Sequence, residues 1–262
     1  MKPLNLIRTA ILQMKKEIKK ILAKIGYRVN KIPKQEVHLK YDDAFNTQKE
    51  LLSKFNEKLT IFDVGAYVGH IALKYNKLFP NSKIYCFEPF PESFSKLEQA
   101  TSSYKNIAVI NKGLSDQEGQ SKFNANKSAP TNSLLKTYAL GKKNWGEGLL
   151  DTLGSVDVEL TTVDNFVEEN NIKKIDVLKL DVQGAEFLVL NGAKQSFEKG
   201  IVKMIYTEMI IVPTYEGQIP FEETIKLIKS YGFKLFSLYN FSLSKEGQLR
   251  QLDAIFIKSD LY

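Results

Sequence analysis

The segment Ile61-Phe62-Asp63-Val64-Gly65-Ala66-Tyr67-Val68-Gly69-His70 decides how the rest of the chain is read. It joins a short apolar run, LTIFDV at 59–64, to an amphipathic run, HIALKYNKLF at 70–79, through a turn holding two glycines. That order predicts a buried strand, a tight turn and a helix with unpaired N–H groups at its start. Glycine lets a backbone approach a ligand where a side chain would collide. Outward from the turn the pattern repeats. KIYCFE (83–88) reads as a strand stopped by Pro89, ESFSKLEQA (92–100) as a helix and IAVIN (107–111) as a strand. The same rhythm resumes with VDVELTTV (156–163), a helix over 164–171, the strand IDVLKLD (175–181), a helix over 185–191 and the strand IVKMIYTE (201–208). A helix over 221–231 and the closing strands FKLFSLY (233–239) and LDAIFIK (252–258) complete it. Alternating strands and helices of this kind predict an α/β fold on a mostly parallel sheet. The intervening stretch 112–155 is rich in Ser, Asn, Gly and Lys and holds the single Trp145. Short antiparallel strands and long loops are expected there, as a lid or acceptor-binding region or as a solvated loop anchored by Trp145.

The charges in these elements narrow the ligand. A dinucleotide turn reads G-x-G-x-x-G, whereas here Asp63 comes first, followed by Gly65 and Gly69. An acid at that place repels a pyrophosphate and suits a cation. S-adenosyl-L-methionine carries an ammonium and a sulfonium and no phosphate, so a carboxylate near the turn is appropriate to it. Glu88 lies 25 residues after Asp63, at the end of the next strand, where a carboxylate accepts hydrogen bonds from ribose hydroxyls. NAD sites use an acid in the same way, so Glu88 supports a nucleoside without choosing one. The turn favours S-adenosyl-L-methionine, and a nucleotide-sugar- or NAD-binding α/β protein, or a catalytically silent cofactor-binding fold, is the alternative. Asp181 and Glu208 each end a strand, at the edge of the sheet that lines the ligand crevice. Coming from neighbouring strands, one is expected to orient an acceptor hydroxyl and the other to take its proton. A structural acid pair is the competing reading. Glu186 falls in the first turn of a helix, where the dipole favours a negative charge, and Tyr215 in PTYEGQ is placed for acceptor contacts. His38 and His70 with Cys86 make no metal motif, and Cys86, inside a strand, reads as a core thiol.

Charge is unevenly spread. The chain carries +7 over 262 residues, yet residues 1–40 alone hold eleven Lys and Arg against Glu17 and Glu36, a net of +9, which leaves −2 for the other 222. The basic pI therefore belongs to an N-terminal arm, and a nucleic-acid substrate is not expected of the body. Leu4, Ile7, Ile11, Met14, Ile18, Ile21 and Ile25 repeat at alternating steps of three and four, which predicts one apolar seam along a helix over residues 3–25. Such a seam is buried on its own domain, on another subunit or, with lysines around it, on an anionic membrane surface. No apolar run is long enough to span a bilayer and no signal peptide is read, so the expected location is cytoplasmic, with peripheral contact at the inner membrane surface as an option. The boundaries drawn are 1–40 for the basic helix and connector and 41–262 for the catalytic domain.

The blocks DVGAYVG, CFEPFPESFSKLE, NKGLSD, TTVDNF, VLKLDVQGAEFLVLNGA and YTEMIIVPTYEGQIPFEETIKLIKSYGFKLFSLY, in that order over 58–258, resemble the FkbM-type methyltransferases. The resemblance implies a Rossmann-like class I methyltransferase fold, about seven strands with the last antiparallel. It implies S-adenosyl-L-methionine as cofactor and transfer of its methyl group to a hydroxyl, often of a sugar, glycan or polyketide. On this resemblance Asp63, Gly65, Ala66 and Gly69 form the cofactor turn, Glu88 holds the ribose, Asn111 lies near the adenine and Asp181 lines the transfer site. Tyr67 departs from it, standing where the family commonly has Asn and other methyltransferases Gly.

Overall fold

The computed structural model describes residues 43–53, 58–146 and 148–258. The helix expected over 3–25 and the connector that follows lie outside the described residues. The first element is α1 (Ala44–Leu52), capped by Asp43, whose carboxylate accepts from Phe45 N and Asn46 N at 2.8 and 3.0 Å. Then come β1 (Thr60–Val64), α2 (His70–Leu78), β2 (Lys83–Phe87), α3 (Pro91–Thr101) and β3 (Ile107–Ile110), the predicted alternation. The second half supplies α5 (Val163–Glu169), β7 (Val177–Leu180), α6 (Glu186–Asn191), α7 (Lys194–Glu198), β8 (Met204–Ile210), α8 (Phe221–Ser230), β9 (Phe233–Leu243) and β10 (Leu249–Lys258).

Seven strands form one sheet in the order β3-β2-β1-β7-β8-β10-β9. The first five are parallel, and β10 runs antiparallel between β8 and β9. This is the Rossmann-like class I methyltransferase arrangement. Because β1 and β7 are covered on both faces, they read as continuous apolar runs rather than alternating ones. Phe62, Val64, Phe87, Leu178 and Leu180 face the core under α5–α8, while Ile61, Ile84, Cys86 and Val177 face the core shared with α1, α2 and α3. The chain order reverses between β1 and β7, so their carboxyl ends open a crevice at the switch point.

A second sheet holds what the sequence left irregular. It consists of β4 (Gly113–Leu114), β6 (Thr152–Thr161) and β5 (Gly119–Asn126), in that spatial order. β6 therefore does not resume the parallel rhythm, as its sequence implied. It pairs antiparallel with β5 over 119–126 and parallel with β4. Its alternate residues Val158 and Leu160 pack on Phe123, and the opposite face is exposed, the half-buried pattern of an outlying sheet. A short α4 (Ala139–Trp145) lies in the connection from β5 to β6.

Candidate active site

The glycine turn closes on the end of β7. Gly65 has φ +74°, and a Cβ at that position would come within 1.9 Å of the Asp181 carbonyl oxygen. A residue with a side chain does not fit without moving one strand end from the other. The turn is held by backbone bonds from Gly65 N and Ala66 N to Phe87 O, at 3.0 and 3.1 Å. Tyr67 N donates to Glu88 Oε2 and Phe90 N to Glu88 Oε1, both at 2.9 Å. Each Glu88 oxygen keeps a lone pair for a ligand hydroxyl. Burial pushes the Glu88 carboxyl up to about 7 against the pull of these two amides.

Beneath the turn is a charge pair that the sequence reading missed. Asp63 and Lys179 stand opposite each other in the β1–β7 register, on the face away from Phe62 and Leu178. Lys179 Nζ lies 2.9 Å from Asp63 Oδ1, 3.1 Å from Gly65 O and 3.7 Å from Asp181 Oδ2. Burial opposes the charge on Lys179, but Asp63, Asp181 and Glu208 outweigh it and hold the ammonium above the ordinary lysine range. Burial likewise pushes the Asp63 carboxyl up while Lys179 pulls it back. The 2.9 Å contact is an ion pair without hydrogen-bond geometry, and neither buried Asp63 oxygen has a hydrogen-bond partner among the described residues.

Across the crevice, side chains replace backbone. Gln183, at φ +54°, donates through Nε2 to Asp181 Oδ1 at 2.9 Å and to Glu208 Oε2 at 2.8 Å. Its Oε1 lies 3.0 Å from the Tyr215 hydroxyl, which also approaches Thr131 O at 3.1 Å. Asp181 and Glu208 thus converge from adjacent strands onto one amide. Asp181 is 42% exposed to the cleft. Loss of water, with the charges of Asp181 and Glu186 beside it, pushes the Glu208 carboxyl well above the usual carboxylate range. Glu186 turns inward, accepting from Val182 N at 2.9 Å and Gly184 N at 3.3 Å, and burial raises it to about 7. It ties down the strand exit and does not line the cleft.

The region 112–155 forms the roof. Trp145 Nε1 donates to Thr214 Oγ1 at 2.8 Å, and Arg250 lies over the Trp145 ring at 4.4 Å. Tyr138 N to Thr214 O and Glu216 N to Lys136 O, both 2.8 Å, stitch the roof to the loop after β8. Trp145 is both anchor and cleft wall. Beneath lies a cavity of about 440 Å³, within the range of small-molecule sites.

Of the residues expected to act, Gly65, Ala66, Glu88, Asp181, Glu208 and Tyr215 line this one cleft; Asp63, Gly69 and Asn111 do not. Asp63 is buried under the turn. Gly69 packs behind it, where a Cβ would meet Leu97 Cδ1 at 3.0 Å. Asn111 Nδ2 donates to Glu88 O at 3.0 Å and Pro89 O at 3.3 Å, bracing the end of β2. His70, the first residue of α2, is exposed where it lines the cleft. The donor set fits a nucleoside with a cationic tail: a buried acid for ribose hydroxyls, an apolar slot of Phe87, Pro89, Leu114 and Phe123, and carboxylates at the far end.

Residues 63–235 match the family model described as the methyltransferase FkbM domain. The 2-O-methyltransferase NoeI of Sinorhizobium fredii is 28% identical over 175 residues, covering 65% of this chain and 71% of that protein. Methyltransferase 1 of Beauveria bassiana is 26% identical over 217 residues, 78% of this chain and 84% of that protein. The hexuronic acid methyltransferase AglP of Haloferax volcanii is 25% identical over 176 residues, 66% of this chain and 63% of that protein.

Proposed function

The chain belongs to the FkbM methyltransferase family and is an S-adenosylmethionine-dependent methyltransferase, and from that premise we propose that it methylates a hydroxyl of a sugar or glycan acceptor. The observation that carries this reading is the convergence of Asp181 and Glu208 on the Gln183 amide, beside the cofactor turn. A relative named a 2-O-methyltransferase supports an oxygen acceptor, and one named for hexuronic acid supports a sugar.

Gly65, Ala66 and Glu88 are the residues that would hold the cofactor, with Asp63 supplying negative charge from below. The bound cofactor supplies an electrophilic methyl group on a sulfonium. Its departing thioether is a good leaving group, so the protein's part is positioning first and proton removal second. Gln183 holds Asp181 Oδ1, so Oδ2, 3.7 Å from Lys179 Nζ, is the oxygen that remains to take the hydroxyl proton. Glu208, pushed up, retains a proton longer and orients the acceptor.

Methyl transfer from labelled S-adenosylmethionine into lysate, fractionated into lipid, glycan, protein and nucleic acid, tests the reading. Label is expected in glycan or glycan-bearing lipid. Label confined to nucleic acid or protein rejects it. No helix among the described residues is long and apolar enough to cross a membrane. The basic segment 3–25, outside the described residues, is the part suited to an anionic membrane, at about 1 kcal/mol per basic residue near the surface. The full chain is expected to sediment with anionic vesicles at low salt, and a chain starting at Tyr41 is not. A full chain that ignores such vesicles makes the seam a protein contact.

A further inference from the structure

The acceptor half of the cleft offers, among the described residues, carboxylates and neutral amides and no uncommitted cation. Among the described residues the charged side chains lining it are Glu88, Lys179, Asp181 and Glu208, with His70 at the cofactor side. Lys179 is 4% exposed and already spent on Asp63, Asp181 and the carbonyls of Val64 and Gly65. Two cations beside the roof are committed elsewhere: Lys142 pairs with Asp151 at 3.1 Å, and Arg250, on β10, is held by Asn144 O, Ser242 Oγ and the Trp145 ring. Gln183 has used both amide donations on Asp181 and Glu208 and its oxygen on Tyr215. What remains toward an acceptor among the described residues is the second oxygen of each carboxylate, together with the neutral amides of Asn132 and Gln251. The carboxylate oxygens take hydrogen bonds from hydroxyl donors, and two of them within reach of one amide suit two neighbouring hydroxyls. A carboxylate on the acceptor meets the Asp181 charge, and no uncommitted protein cation among the described residues is there to neutralise it.

Resting on the sugar-acceptor reading, we propose that this site takes a neutral sugar through a pair of adjacent hydroxyls and rejects a sugar bearing a carboxylate, with Gln183 as the specificity-determining residue. The selection is opposite to that named for the Haloferax volcanii relative.

The test is methyl transfer by the full chain to matched pairs of hexosides and hexuronides that differ only in the oxidation state of C6. The hexoside of a pair is expected to have a kcat/KM at least about ten-fold higher, the size of one modest like-charge penalty. Gln183→Arg places a cation between the two carboxylates. It is expected to narrow or reverse that ratio while calorimetric affinity for S-adenosylhomocysteine is kept. Equal or better transfer to the hexuronide by the unmodified chain overturns the inference and leaves the sugar reading standing. Transfer to neither member of any pair, with lysate label confined to protein or nucleic acid, overturns both. A Gln183→Arg protein that keeps its cofactor affinity and an unchanged ratio removes Gln183 as the determinant. If that variant does not fold, the ratio of the unmodified chain decides the rest.

Discussion

The cofactor half and the acceptor half of the cleft are built by different means. In the cofactor half, residues 63–90 contact one another: Phe87 O receives two turn amides, and Glu88 reaches back 21 positions to Tyr67 N. The decisive groups are backbone. In the acceptor half, Gln183 reaches 25 positions to Glu208, 32 to Tyr215 and 50 to Ser133, and Trp145 reaches 69 to Thr214. The decisive groups there are side chains. A site of the first kind is fixed by where the chain turns. One of the second kind is fixed only once the whole fold has closed.

Substitutions in the two halves are expected to act differently. Asp181→Asn keeps shape and removes the charge, and turnover is expected to fall about 10²–10⁴-fold with a smaller change in cofactor affinity. Steady-state kinetics with calorimetry separates the two, and near-normal turnover would make Asp181 structural. Gly65→Ala acts on the other half through backbone alone. With φ +74° and the Asp181 carbonyl 1.9 Å from the new Cβ, it is expected to lose about 2–5 kcal/mol of stability and much of its cofactor binding. A urea midpoint equal to that of the parent chain would show that the close approach is not needed.

The same contrast explains what was legible. The strands β1, β2, β7 and β8 are apolar runs closed by Gly, Pro or an acid, so their ends and the crevice could be placed from sequence. The helix α1 could not, because its buried face carries, beside Ala44, Phe45, Leu51 and Leu52, the polar Thr47 and Gln48. Their partners, Tyr239 Oη at 2.7 Å and Tyr75 Oη at 2.9 Å, are distant in sequence. Lys179 was missed for the same reason, yet a signal was present: Asp63 and Lys179 are opposite charges, each inside a run otherwise apolar enough to be central. Two such charges are tolerable there only as a pair. Gln183 left no trace, since its role exists only once Glu208 and Tyr215 arrive. Asp63, Gly69 and Asn111 carried a motif's pattern, and the fold uses them to support the turn from behind.

Glu88 is where side-chain chemistry enters the backbone half. Folding raises its carboxyl to about 7, so below that pH the folded chain holds a proton the unfolded chain has released. Stability contributed by this group therefore declines as pH rises from the ordinary carboxylate range to about 7. Ligand hydroxyls donate best to the ionised form, so affinity for S-adenosylmethionine is expected to rise between pH 6 and 8. Glu88→Gln is expected to weaken binding by about 1.5–3 kcal/mol and to flatten that rise. Calorimetry across the pH range reads both. Unchanged affinity in a folded variant would remove Glu88 from the ribose.

The smallest effect is expected at Tyr67. Its φ of +50° is left-handed, which costs an ordinary L-residue about 1–2 kcal/mol and Asn less. Asn or Gly, the residues the family resemblance implies at this place, adopt that conformation at less cost. What the turn uses from Tyr67 is its N–H, donated to Glu88 Oε2 at 2.9 Å, and Tyr67→Asn leaves that donor in place. The variant is expected to gain about 0.5–1 kcal/mol, a rise of about 2–3 °C in Tm for a chain of this size, with cofactor affinity nearly unchanged. If it instead loses stability or affinity, the phenol ring contributes contacts over the cleft that outweigh the strain. The cofactor half would then depend on a side chain as the acceptor half does, and the division between them would hold only for Gly65 and its neighbours.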